Sequence, residues 1–382
     1  MNSHGIQKIP LAAPIYDEEM ENAASNALLN EHFVLGEAVY KFEEEFARYC
    51  GVKFAVSTNS GTAALHLSLI ALGVKRQDQV ITTPMSFIAT ANSIIHAGAT
   101  PVFADICTKN NNIDLDEIKK RITKQTAALI PVHLYGFPCE MDQIVEIAEN
   151  NGVKIIEDAC QAHGAEYKAQ KLGAFGDVGC FSFYPSKNMT VGGDGGIVVT
   201  NNQETAEVIS KLRDCGRKNK YVHDIVGYTA RLNTVNAAIG RIQLKRLDEW
   251  NEKRRRNAAL YNKLLSDLDE IILPPEENAF ATPVYHLYVI RVKKRDELKN
   301  WLENNGIQCG IHYPVPIHLQ PVYRELFKFK GGEFLKSELL SQTCLSIPMY
   351  PGLASDEIKY ISEKIHEFYS TLSNPGSKPK ND

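Results

Sequence analysis

Lys187 follows an apolar run, 178–183, and precedes the glycine-rich turn Gly192-Gly193-Asp194-Gly195-Gly196. A lysine so placed can serve as an amine nucleophile toward a carbonyl, or it can sit exposed on a hairpin. Upstream, Ile155 and Ile156 lead into Glu157 and Asp158. Neighbouring residues on a strand point to opposite faces, so only one of these acids can face a given ligand. Earlier still comes Asn59-Ser60-Gly61-Thr62-Ala63. Ser60 suits a helix N-cap, and the free N–H groups of a helix start make an anion site. The same residues also read as an ordinary helix start. Phe87, just beyond Pro84-Met85-Ser86, opens a further helix. It either fills the core or offers its ring face to a flat ligand.

Each feature has an ordinary structural explanation, but four of them fall at successive strand ends of one sheet. Pyridoxal phosphate needs that set of parts. Its aldehyde requires a lysine for a Schiff base, its phosphate a helix start, and its ring nitrogen a carboxylate so that the ring can act as an electron sink. Other chemistries lack their signatures. There is no Gly-x-x-x-x-Gly-Lys-Ser/Thr loop for ATP and no Gly-x-Gly-x-x-Gly fingerprint for a dinucleotide. The eight cysteines contain no Cys-x-x-Cys, so neither a zinc ribbon nor a disulfide scaffold is expected and the thiols read as inert and reduced. His312 and His318 have no third ligand nearby in the sequence, so no metal is expected.

The elements that must hold these residues alternate. Segments 53–57, 79–83, 101–106, 127–132, 154–157, 178–183 and 196–200 read as strands, several of them apolar on both faces. Segments 60–72, 87–97, 115–121 and 141–150 read as helices. This alternation predicts an α/β fold with an open, mostly parallel sheet and its site at the carboxyl ends of the strands. A long helix is expected over 234–265, with the basic run Lys253-Arg254-Arg255-Arg256 on a solvated face. Beyond it, a strand at 285–292 and helices at 296–304 and 355–369 predict a smaller α+β domain. The expected division is 1–265 for the large domain, 266–372 for the small one, and a fraying tail at 373–382. N-terminal helices at 17–29 and 37–49 pack on the small domain or on a second subunit in this reading.

The 382 residues are 44% hydrophobic and 23% charged, which excludes global disorder. A net charge of −4 leaves no basic excess for a nucleic-acid partner. No apolar run reaches the roughly 20 residues of a membrane span, and the first twenty residues, with charges, Pro10 and Pro14, have no apolar core like a signal peptide's, so a cytoplasmic protein is expected.

Ser60-Gly61-Thr62, Glu157-Asp158-Ala159-Cys160-Gln161-Ala162-His163-Gly164 and Ser182-Phe183-Tyr184-Pro185-Ser186-Lys187-Asn188, with Gly193-Asp194-Gly195-Gly196, resemble the DegT/StrS family. These are pyridoxal-phosphate aminotransferases of nucleotide-linked keto sugars, used in amino sugar and polysaccharide biosynthesis. The likeness runs in order from about Ile9 to Tyr369. It implies a fold-type I transferase working as a homodimer with shared active sites. Lys187 would hold the cofactor and shuttle a proton, and Asp158 would pair with the ring nitrogen. Gln161 would lie near the ring oxygen and Phe87 on the ring face. Ser60, Gly61 and Thr62 would meet the phosphate, with Ser182 adding a hydroxyl. The partner subunit would add a phosphate contact from Gly227-Tyr228-Thr229-Ala230-Arg231-Leu232-Asn233. Thr229 stands where many relatives have Asn, so Arg231 or Asn233 is expected there instead.

By the same resemblance, L-glutamate donates the amine and pyridoxamine phosphate carries it to the keto sugar. The wording around Lys187, and His312-Tyr313-Pro314-Val315-Pro316-Ile317-His318, resembles relatives that aminate C3. His312, Tyr313 and His318 are thus the substrate candidates. The alternatives are amination at C4 and a regulatory protein that binds the cofactor without turnover.

Overall fold

In a computed structural model, which describes residues 8–373, seven strands form a central sheet in the order β1-β9-β8-β5-β4-β2-β3. The chain enters through helices α1 (Glu18–Asn30) and α2 (Glu37–Cys50). Strand–helix units follow: β1 (Phe54–Thr58), α3 (Gly61–Ala71), β2 (Gln79–Thr82), α4 (Ala89–His96), β3 (Thr100–Phe103), α5 (Leu115–Arg121), β4 (Thr126–Ile130) and α6 (Met141–Asn151). Then come β5 (Lys154–Asp158), a small hairpin of β6 (Glu166–Tyr167) and β7 (Gln170–Lys171), β8 (Val178–Ser182), β9 (Gly196–Thr200), α7 (Gln203–Arg213) and the long α8 (Thr234–Leu265). The seven strands foreseen in the sequence are these. Only β9 runs against its neighbours in the sheet, pairing antiparallel with both β1 and β8.

Both faces of the sheet are buried, which explains the continuous apolar runs. On one face Phe181 packs with Phe42 and Phe46 of α2 and Leu247 of α8. On the other, Cys180 and Val198 pack with Leu65 and Leu69 of α3 and Ile209 of α7. The N-terminal helices lie on α8, not on the small domain: Met20 shares a cluster with Ile239 and Trp250. Helix α8 is buried on more than one side: Ile239 and Trp250 pack with Met20, and Ala258, Tyr261 and Leu265 pack with residues beyond the helix.

The second part holds β10 (Ile271–Ile272), β11 (Ala281–Thr282), β12 (Tyr288–Val292), α9 (Arg295–Asn304), α10 (Pro321–Phe327), α11 (Leu335–Thr343), β13 (Cys344–Ile347) and α12 (Ser355–Ser373). Strands β10, β12 and β13 form one antiparallel sheet. Its core draws on Ala258, Tyr261 and Leu265 of α8 as well as Tyr288, Ile290 and Ile361. The strand expected at 285 starts at 288, because Tyr285 has φ 41°, a left-handed value no strand residue adopts.

The basic run on α8 is not uniformly solvated. Lys253 pairs with Glu249, and Arg255 and Arg256 pair with Glu252, as a wet helix face would. Arg254 is buried instead, and its Nη1 donates to the carbonyls of Tyr285, His286 and Met349. The helical period turns one residue of four inward, and a string of like charges hides that. The tail expected to fray lies, apart from Ser373, outside the described residues. Among the described residues no helix is long and apolar enough to cross a membrane.

Candidate active site

The register of the sheet brings the chemistry together. Thr58 and Ser182 both pair with Gly196, and Asp158 pairs with Cys180. The carboxyl ends of β1, β5 and β8 therefore meet the start of the reversed β9 on one rim. The packing there is close. A Cβ on Gly196 would come 2.4 Å from the Ser60 carbonyl oxygen, and one on Gly61 would come 2.6 Å from Ser182 Cβ.

A cavity of about 410 Å³ opens at this rim. Its lining includes Ser60, Gly61, Thr62, Phe87, Asp158, Gln161, Ser182, Lys187, His312 and Tyr313. At one end, Ser60 caps α3: its Oγ accepts from the Ala63 N–H at 3.1 Å. Among the described residues the N–H groups of Gly61 and Thr62 have no acceptor. This is the unsatisfied start of a helix, and it suits a phosphate. Phe87 is 55% exposed at the mouth, its ring centroid 6.1 Å from that of Tyr313. It is therefore not a core residue.

Asp158 ends β5, buried, with Oδ2 accepting from Thr90 Oγ1 at 2.7 Å and Oδ1 from the Cys160 N–H at 3.2 Å. Ser86 supports Thr90 from behind, with Oγ···Oγ1 at 2.8 Å. Glu157 points to the other face of the strand, away from the cavity. It accepts from the N–H groups of Gly173, Phe175 and Gly176, and from His133 Nε2. The Cys139 N–H donates to His133 Nδ1 on the ring's other side.

Lys187 sits on a tight turn, its N–H donating to the Tyr184 carbonyl at 2.8 Å. The next residue anchors the turn: Asn188 Nδ2 donates to Asn251 Oδ1 of α8 and to the Val284 carbonyl. Among the described residues Lys187 Nζ makes no hydrogen bond or ion pair. Burial pulls its amine below the ordinary lysine range, with Cys160 and Asp158 acting in the opposite direction. An amine that is unengaged and easily deprotonated is a competent nucleophile. The free amine, the unsatisfied helix start and the buried carboxylate together match the aldehyde, phosphate and ring nitrogen of pyridoxal phosphate.

The small domain supplies the opposite wall. His312 Nδ1 lies 2.8 Å from Ser346 Oγ, and burial with the nearby Lys187 charge pulls the imidazole down to about 4. Burial pushes the Tyr313 phenol up, and its oxygen accepts from Gln161 Nε2 at 3.2 Å. His318 is elsewhere. It is fully buried against Phe334, with Nε2 at 3.1 Å from Glu338 Oε1. Glu333 joins it, with ligand atoms of the three within 4.8 Å of one another. Both carboxylates already accept loop N–H groups, from Lys330 and Gly331 on Glu333 and from Gly332 on Glu338. These bonds staple the 330–334 loop to α11.

Arg231 and Asn233 do not line this cavity. Arg231 pairs with Asp214 at 2.6 Å, and Asn233 caps α8 by accepting from the Asn236 N–H. The cavity also contains residues the sequence reading passed over: Ser86, Thr90, Tyr184 and His286. Thr90 stands one helical turn after Phe87, a spacing that could have flagged it. His286 had no local signal, since only the docking of the small domain brings it here.

Residues 14–366 match the DegT/DnrJ/EryC1/StrS aminotransferase family. The chain is 41% identical over 352 residues to a pleiotropic regulatory protein of Geobacillus stearothermophilus, covering 92% of this chain and 94% of that one. It is 39% identical over 353 residues to dTDP-3-amino-3,4,6-trideoxy-alpha-D-glucose transaminase of Streptomyces venezuelae, covering 92% of each. The crystal structure of S. venezuelae DesV in complex with a ketimine intermediate superimposes with a TM-score of 0.91, at 38% identity, covering 94% of this chain and 98% of that one. The chain therefore belongs to the DegT/DnrJ/EryC1/StrS aminotransferase family, as a sugar aminotransferase.

Proposed function

We propose that this chain transfers an amino group from L-glutamate to the C3 keto group of a nucleotide-linked sugar, with pyridoxal phosphate held at Lys187. The observation that carries the reading is one cavity lined together by Lys187, whose amine is unengaged among the described residues, Asp158 and the helix start at Ser60. Pyridoxal phosphate, when bound, supplies an electron sink for the carbanion left when a carbon beside the nitrogen loses its proton. The residues do the rest. Gly61 and Thr62 N–H groups and the Ser182 hydroxyl bind phosphate. Asp158, held by Thr90, would keep the ring nitrogen protonated. The Gln161 amide would meet the ring oxygen, and Phe87 would cover the ring face. Lys187 Nζ, tethered within reach, would take up and return the proton that leaves the carbon beside the nitrogen. His312 and Tyr313 offer neutral polar groups to a sugar.

Arg231 or Asn233 is assigned to the cavity of a second copy in a homodimer, since neither lines its own. The eight unpaired thiols suit a reducing cytoplasm.

The C3 assignment draws on the wording around Lys187 and on the name of the S. venezuelae transaminase. It is tested by glutamate-dependent transfer to 3-keto and 4-keto nucleotide sugars. Activity on the 4-keto sugar alone overturns it. The name of the Geobacillus relative favours one second reading, a regulatory protein without turnover. Protein that stays colourless with pyridoxal phosphate, and is unaltered by Lys187→Ala, would support that reading.

A further inference from the structure

Tyr135 closes a ring of contacts behind the cavity. Its backbone N–H donates to Gln161 Oε1 at 2.8 Å. Gln161 Nε2 donates to the Tyr313 hydroxyl at 3.2 Å. Tyr313 is joined through its peptide to His312, and the His312 carbonyl accepts from the Tyr135 phenol. The ring thus starts and ends on one residue. Gln161, His312 and Tyr313 line the cavity, whereas Tyr135 does not.

The backbone at Tyr135 is unusual. Its φ and ψ are 59° and 10°, in the left-handed region that bulky residues avoid. Gly136 follows with φ 88°, and a Cβ there would come 2.9 Å from the Gln161 carbonyl oxygen. Two left-handed residues in succession let Tyr135 reach Gln161 with its backbone and His312 with its side chain. Such strain persists only where the surroundings hold it. Tyr135 is buried, and its neighbours in the core, Leu134, Leu287 and Val289, come from both domains.

The ring has a chemical consequence. An amide whose oxygen is tied to a backbone N–H has its NH₂ end fixed. One of the two Gln161 N–H bonds goes to Tyr313, and the second is left for a bound group.

We infer that Tyr135 is a positioning residue: it fixes the Gln161 amide, which faces the cofactor, in register with His312 and Tyr313, which face the acceptor sugar. This rests on the function proposed above. The reaction itself makes no contact with Tyr135, so its role is to hold the second substrate's wall against the first half of the site.

Tyr135→Phe removes the phenol hydroxyl and keeps the N–H. Cofactor uptake and the glutamate half-reaction should stay within about twofold of the parent protein. The KM for the acceptor sugar should rise about five- to tenfold, the worth of one buried hydrogen bond. In the cofactor-free protein, amide exchange over 311–313 should quicken by a similar factor. Both half-reactions falling together would overturn the inference, as would an unchanged acceptor KM and exchange. If Tyr135→Phe does not accumulate, Gln161→Leu serves in the cofactor-free protein. The ring requires faster exchange at both the Tyr135 amide and 311–313, and exchange unchanged at 311–313 overturns it. Parent protein that takes up no pyridoxal phosphate would sink the functional reading, while the exchange experiment still tests the ring.

Discussion

Glu157 and Asp158 are consecutive on β5, yet their carboxylates do unrelated work. Asp158 faces the cavity, held by Thr90 and the Cys160 N–H. Glu157 faces the opposite side and gathers three backbone N–H groups and His133. The strand's alternation puts one acid on the cavity and the other among backbone N–H groups.

Neutralising each should therefore give opposite results. Glu157→Gln exchanges charge-assisted bonds for weaker ones at a fully buried site, and should cost about 2–4 kcal/mol of stability. Activity of the protein that remains folded should change little. Asp158→Asn, with fewer such bonds to weaken, should cost less stability and lower kcat by about a thousandfold or more. Urea titration alongside steady-state kinetics checks both, and matching losses in the two variants would refute the division.

Thr90 gives a graded version of the Asp158 effect. Thr90→Val keeps the shape and removes the hydroxyl that donates to Oδ2. A loss of about tenfold in kcat is expected, from one hydrogen bond to a charged group. The glutamate half-reaction followed by absorbance measures it.

Gly61 has no room for a side chain, since a Cβ would stand 2.6 Å from Ser182 Cβ. Gly61→Ala should push the start of α3 away from β8 and weaken cofactor binding by about tenfold or more. Equilibrium dialysis with pyridoxal phosphate would read this directly, and unchanged affinity would move the phosphate elsewhere.

Lys187 should leave a mark on the pH dependence of the cofactor-free protein. Burial holds its native pKa below the unfolded value, so between the two the unfolded chain binds the extra proton. Stability from this group is lowest below the native pKa and rises as pH climbs toward 10.5. Lys187→Met should flatten that rise in denaturant titrations at successive pH values. The same variant should abolish transamination.

Burial, and then the nearby Lys187 charge, pull the His312 imidazole down to about 4, which leaves it uncharged near neutral pH. Acceptor affinity should therefore not follow its protonation between about pH 6 and about pH 8. A binding curve that breaks in that range and is flattened by His312→Gln would show that the imidazole titrates there after all.

Much of this was written locally in the sequence. The apolar runs gave the strands, and a Ser-Gly-Thr after the first of them gave the helix start. Lys187 and Asp158 stood out because each follows an apolar strand. Other features were not local. Arg254 looked like one more charge in a basic run, and only three carbonyls converging on it explain its burial. His318 lies only a few residues from His312, but a short helical turn carries it into an aromatic cluster and out of the site.

The sequence by itself determined the alternation of elements, the chemical types available at each strand end and the family. Those depend on side-chain pattern over a few residues, which one chain displays directly. Tertiary structure alone decided which acid faces the cavity, which histidine joins it, and that Tyr135 and Tyr313 both bond to Gln161. These relations connect residues far apart in the chain. They exist only once burial of both sheet faces fixes the strand register and packing on α8 fixes the second domain against the first.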